Sequence, residues 1–142
     1  MKIKLEQVIE AIETADDAFT YFYDTQTGET VYLQDEMITG ERNEELKELI
    51  ENAPRGRFLR FPTKYDIHEY SIMESFVESL PPGAARHELV HSIRGKGAFR
   101  RFKNGSYYHR IEQQWYDYRD QTYREIAIRW CRDEEIEYVE AE

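Results

Sequence analysis

Cysteine is almost missing from this chain: Cys131 stands alone among 142 residues. No disulfide can form within it, which points to a reducing, cytoplasmic setting. Cys131 lies between Trp130 and Arg132, late in a helical pattern, where a packed thiol is expected rather than a nucleophile. Long apolar runs are missing too. None approaches the roughly 20 residues that a membrane span needs. The opening MKIKLEQVIEAIE has cations but no apolar core or small-residue cleavage site, so it does not read as a signal peptide. Proline and glycine are sparse, at four and seven. No repeat, low-complexity linker or boundary divides the chain, so one domain is expected over residues 1–142. Residues 133–142 form an acidic tail that either adds an edge strand or frays.

Acid is the scarce component in two stretches. Ala53–Tyr65 has none and carries Arg55, Arg57, Arg60 and Lys64. Leu89–Ile111 has none and carries Arg94, Lys96, Arg100, Arg101, Lys103 and Arg110. These stretches hold 10 of the 19 cations in a chain of net charge −10. That overall charge argues against a general nucleic-acid coat. The split leaves two readings: basic stretches neutralised by acids of the same fold, or an electropositive patch that recruits an anionic partner.

What is abundant is aromatic, with eleven tyrosines. Leu5, Val8, Ile9 and Ile12 recur at i, i+3, i+4 and i+7, a short helix ending near Thr14–Asp16. AFTYFYDTQTGETVYLQD reads as a hairpin about Asp24–Gly28. A loop with Gly40 is expected over Met37–Arg42. Asn43 then caps a helix to about Asn52, with Leu46, Leu49 and Ile50 inward. RFLRFP is a further strand closed by Pro62, short, bulged or buried on both sides. Asp66 with Glu69 suggests a capping box opening a strong helix whose stripe is Tyr70, Ile72, Met73, Phe76, Val77 and Leu80. Pro81, Pro82 and Gly83 end it. Ala85–Ile93 is a short helix, broken by Gly95 and Gly97. Phe99 and Phe102 are expected to pack inward together, with Arg100, Arg101 and Lys103 turned to solvent, and Asn104–Gly105 to turn. A long helical pattern follows over residues 107–132. Its aromatic face holds Arg119, which is expected either to pair with Glu112 or to floor an anion site. The expected class is α+β: a small antiparallel sheet, hairpin plus one further strand, packed by about five helices.

The order of these signals carries a resemblance. A hairpin ending TGE is followed by RF-x-x-FP, D-I-x-E-Y-x-I-M-E-x-F, R-G-x-G-A-F-R-R-F-K, W-Y-x-Y-R-D and R-E-x-A-I-x-W. In this the chain resembles a small, mainly bacterial uncharacterised family, numbered zero-one-five-eight in the unassigned series. The matching positions include Arg57, Phe58, Pro62, Glu69, Tyr70, Met73, Gly95, Gly97, Ala98, Phe99, Phe102, Trp115, Arg119, Asp120 and Trp130. The resemblance implies no activity, cofactor or catalytic residue.

Two motifs suggest chemistry. His87-Glu88-Leu89-Val90-His91 places two imidazoles one helical turn apart, with a glutamate able to activate a zinc-bound water. A catalytic zinc needs a third ligand, Arg94 stands where the longer motif has glycine, and Gly95 cuts the helix short. RGKGAF pairs glycines with cations but lacks the spacing of a phosphate-binding loop. No Ser/His/Asp set is evident. The function expected is therefore a non-catalytic cytoplasmic binding module without a cofactor. Its surface is Arg94, Lys96, Arg100, Arg101 and Lys103, with Arg57, Arg60 and Arg119 as further candidates. Its partner is an anionic protein surface, or alternatively RNA or a nucleotide. A zinc hydrolase at His87 and His91 is the third reading.

Overall fold

The computed structural model describes residues 2–35, 37, 40 and 43–140. The loop expected at 37–42 falls largely outside these residues. The chain forms two compact units: Met1–Ile67 with Tyr123–Glu142, and His68–Thr122.

The first unit contains both sheets. β1 (Lys2–Lys4) leads directly into α1 (Leu5–Thr14), whose Leu5, Val8, Ala11 and Ile12 are buried. The hairpin forms as expected from β2 (Phe19–Asp24) and β3 (Thr30–Gln34), with Tyr21 opposite Tyr32. β2 is the central strand, because β4 (Phe58–Arg60) adds antiparallel to its other edge. Of the two readings of the tail the edge strand holds: β5 (Glu137–Val139) pairs in parallel with β1 in a sheet of its own.

α2 (Glu44–Asn52) begins at Asn43, whose side chain accepts the Leu46 N–H at 3.2 Å. The cap stands as expected, and of the expected stripe Leu46 and Ile50 are half-buried. α2 has no fully buried residue, and Leu49 is 45 % exposed.

Asp24 ties the hairpin to β4. Its two carboxylate oxygens accept from the Arg57 guanidinium at 3.3 and 3.2 Å, and it also accepts the Gln26 N–H at 2.9 Å. Thr25 donates from both its N–H and its hydroxyl to the Arg57 carbonyl. Beneath them Tyr23, Phe61 and Trp130 form a run of rings, and the Trp130 indole N–H donates to the Arg60 carbonyl at 2.9 Å. Cys131 is fully buried, and burial pushes its thiol up to about 11, so it is a packed thiol.

The capping box sits earlier than expected. Thr63 and Asp66 bond reciprocally, each side chain accepting from the other's backbone N–H, and this opens the four-residue α3 (Lys64–Ile67). His68 then takes a left-handed φ of 54°, so the next helix starts without a side-chain cap.

The second unit is helical: α4 (Glu69–Ser79), α5 (Ala84–Ser92), α6 (Ala98–Tyr108) and the first half of α7 (Glu112–Asp133). Its core joins Met73, Phe76, Val77 and Leu80 of α4 to Leu89, Ile93, Phe102 and Ile111. Phe76 meets Phe102, Trp115 and Tyr118 edge-on or tilted at 5.4–6.0 Å. Among the described residues, α3 and α6 are helical segments beyond the five expected. α6 runs through Asn104–Gly105, which was expected to turn. The reason is packing: a Cβ at Gly105 would stand 2.7 Å from Leu89 Cδ2, so glycine here serves close approach of α6 to α5. The break falls later, at Arg110, with φ 59°.

The Asp24 carboxyl is held below its ordinary value, first by the Arg57 hydrogen bonds and against the cost of its own burial. A depressed carboxyl stabilises the fold above its unfolded value, and that gain is lost as pH falls through the lowered folded value. Asp24→Asn should therefore cost roughly 2–3 kcal/mol near neutral pH. The gap from wild type should close towards about pH 2, as denaturant titrations at the two pH values would show.

Candidate functional site

The basic segment becomes a turn, Ile93–Gly97, followed by α6. The helix faces follow from spacing. Ala98, Phe102 and Ser106 are buried at i, i+4 and i+8. Arg100, Lys103 and Tyr107, at i, i+3 and i+7, fall on the opposite face and are exposed. Phe99 does not pack inward beside Phe102. It is 51 % exposed, while Phe102 is 3 % exposed, because residues three apart at this phase straddle the edge of the buried stripe. One side of Phe99 meets Tyr70 edge-on, at 6.4 Å between ring centres. Tyr70 in turn donates its hydroxyl to the Ile93 carbonyl at 2.6 Å.

The five cations here have two different roles. The Arg101 guanidinium folds back over the turn. Its Nε donates to the Ser92 carbonyl at 2.7 Å, Nη1 to Lys96 at 2.5 Å and Nη2 to Arg94 at 2.6 Å. Carbonyls at a helix C-terminus carry partial negative charge and lack intrahelical donors, so a cation there is well placed. Gly97 makes room for it: its φ is 77°, and a Cβ would lie 2.9 Å from Arg101 Nη1. Arg94, Lys96, Arg100 and Lys103 differ. All four are exposed, and among the described residues no acidic side chain pairs with them. Together with Phe99 and Tyr107 they make a cationic, aromatic surface.

The remaining candidates are elsewhere. Arg57 is committed to Asp24. Arg60 is exposed in the first unit and borders a cleft of about 540 Å³ that also holds Asp16, Asp17 and Lys64. Arg119 lies in α7 and pairs with Asp120 at 3.6 Å rather than with Glu112, two turns away. Its guanidinium sits over the Tyr116 ring at 5.1 Å.

His87 and His91 do lie side by side on α5, with ring centres 5.0 Å apart. Glu88, however, contacts His109 Nε2 at 2.6 Å at the end of α6. Among the described residues no group of three His, Cys, Asp or Glu side chains is placed to hold a metal ion. Nor is any helix among them long and apolar enough to cross a membrane.

Comparison with known proteins agrees with the order of motifs. The model of an uncharacterised protein family (UPF0158) matches residues 1–142. The chain belongs to this family. A UPF0158 protein of Pseudomonas aeruginosa is 24 % identical over 138 residues, covering 96 % of this chain and 86 % of the relative. UPF0158 proteins of Chlamydia muridarum and Chlamydia trachomatis are each 25 % identical over 139 residues. This chain spans 41 % and 42 % of their lengths. No solved structure matches the chain.

The two roles of the cations separate on mutation. Arg101→Ala should destabilise the chain by roughly 1–3 kcal/mol, the lower end reflecting solvent exposure of the guanidinium. Arg101→Lys should recover little of this, because one ammonium cannot match a three-pronged planar donor. Lys103→Ala should stay within about 0.5 kcal/mol of wild type in the same denaturant titration.

Proposed function

We propose that the chain is a non-catalytic binding module of the reducing bacterial cytoplasm, and that the solvent face of α6 holds an anionic partner, most simply an acidic protein surface. The observation that carries this reading is the set of exposed, acid-free cations Arg94, Lys96, Arg100 and Lys103 beside the half-exposed Phe99. In a chain of net charge −10, a local excess of cations favours one orientation of an anionic partner and raises its on-rate. Aromatic and arginine side chains supply the contact area that interfaces favour. The buried Cys131 thiol suits a reducing compartment. A second reading, RNA held by the same segment, draws on Tyr107 and Tyr108, which are 74 % and 73 % exposed and offer stacking faces.

A chain of net charge −10 should flow through a polyglutamate resin unless a cationic patch is uncompensated. Wild type should be retained at low salt and released as salt screens the contact. Arg100→Glu with Lys103→Glu should flow through, and Phe99→Ala should elute earlier than wild type. Equal retention of wild type and the double variant would overturn the reading. Retention on single-stranded RNA in preference to polyglutamate, with a steep salt dependence, would move it to nucleic acid.

A further inference from the structure

We infer that the acidic surface met by α6 is the exposed face of α2 on a second copy of this chain. The inference rests on the binding role proposed for α6 and adds the identity of the partner. α2 is an amphipathic helix whose apolar stripe is only partly covered among the described residues: Leu46 and Ile50 are half-buried, Leu49 is 45 % exposed, and no residue of α2 is fully buried. Such helices ordinarily bury that stripe. Around Leu49 stand Glu45, Glu48 and Asn52, all exposed, at i, i+3 and i+7. These four residues line a cleft of about 530 Å³. Among the described residues neither Glu45 nor Glu48 has an ion-pair partner.

The two faces match in spacing as well as in charge. Laid antiparallel, one register sets Arg100 against Glu48, Lys103 against Glu45 and Phe99 against Leu49. Lys96, in the turn before α6, falls beside Asn52. All four pairings hold together because paired positions of antiparallel helices run in opposite directions along one seam. The half-exposed Phe99 ring then enters the cleft beside Leu49, with a charge pair on its flank and another one turn on. Antiparallel helix dipoles add to the match. A second copy satisfies both needs at once, covering the leucine and neutralising the glutamates. A chain of net charge −10 as a whole disfavours a phosphate backbone. Two exposed charge pairs and one apolar contact make a weak, salt-sensitive association.

Sedimentation equilibrium of the full chain over a wide concentration range tests this. The average mass of wild type should rise above 17.1 kDa as concentration rises, and less so in high salt. Arg100→Glu with Lys103→Glu should weaken association at least about tenfold, as should Glu45→Lys with Glu48→Lys. An equimolar mixture of the two reversed variants should restore association, since each then offers the charge the other lacks. The neutral pair Arg100→Gln and Lys103→Gln repeats the comparison if a reversed variant folds poorly. A wild type that stays monomeric throughout, or a mixture that fails to restore association, would overturn the inference. A monomeric wild type that is still retained on polyglutamate through α6 would overturn the second copy and leave the binding role standing. A monomer that instead shifts labelled single-stranded RNA through α6 would replace the second copy with nucleic acid. Loss of self-association and of retention together would remove both readings.

Discussion

Three hydrogen bonds from one guanidinium set the form of the basic segment. Arg101 gathers the carbonyls of Ser92, Arg94 and Lys96, and so closes the end of α5 onto the start of α6. That closure fixes the Ile93–Gly97 turn and the phase at which α6 leaves it. The phase decides which side chains reach water. Phe102 goes to the core while Arg100, Lys103 and Tyr107 face out. Gly97 follows from the same constraint, since a side chain there would displace the guanidinium. The surface of α6 therefore depends on an exposed cation whose donors are committed to backbone carbonyls.

The other acid-free stretch shows the opposite division. Arg57 is used up in holding β4 to the hairpin through Asp24, and Arg60 lends its backbone carbonyl to Trp130. Like-looking runs of arginine thus do different work, depending on whether an acid or a carbonyl lies within reach. Within the second stretch the division is finer: Arg100 and Arg101 are neighbours in sequence, yet one faces water and the other caps a helix.

Much of the fold was legible in the chain. Periodicity placed α1, α4 and α5, turn chemistry placed the hairpin, and the α+β class followed. The signals that failed share a cause, which is that spacing cannot report a partner from elsewhere in the chain. Asn104–Gly105 has the composition of a turn, but Leu89 rewards glycine there for its lack of a side chain. Phe99 and Phe102 are spaced as an inward pair, but the buried stripe of α6 is set by Ala98 and Ser106. Asp66 looked like the start of a box with Glu69. Thr63 stands three residues before it, and that pairing was the better signal. The stripe on α2 has the right period, yet Leu46 and Ile50 are only half-buried and Leu49 is exposed, a fact no pattern contains. For the candidate site, the cluster of cations was legible, while the removal of Arg101 and Arg57 from the free set needed coordinates.

The central claim is that the outward cations of α6 are not internal cement. The most direct measurement is the melting temperature, at low salt and at a concentration where the chain is monomeric, of Arg100→Glu with Lys103→Glu against wild type. The account predicts a shift of less than about 2 °C, because the fold uses neither side chain. A fall of roughly 10 °C or more would show that these cations hold the chain together, and would contradict the account.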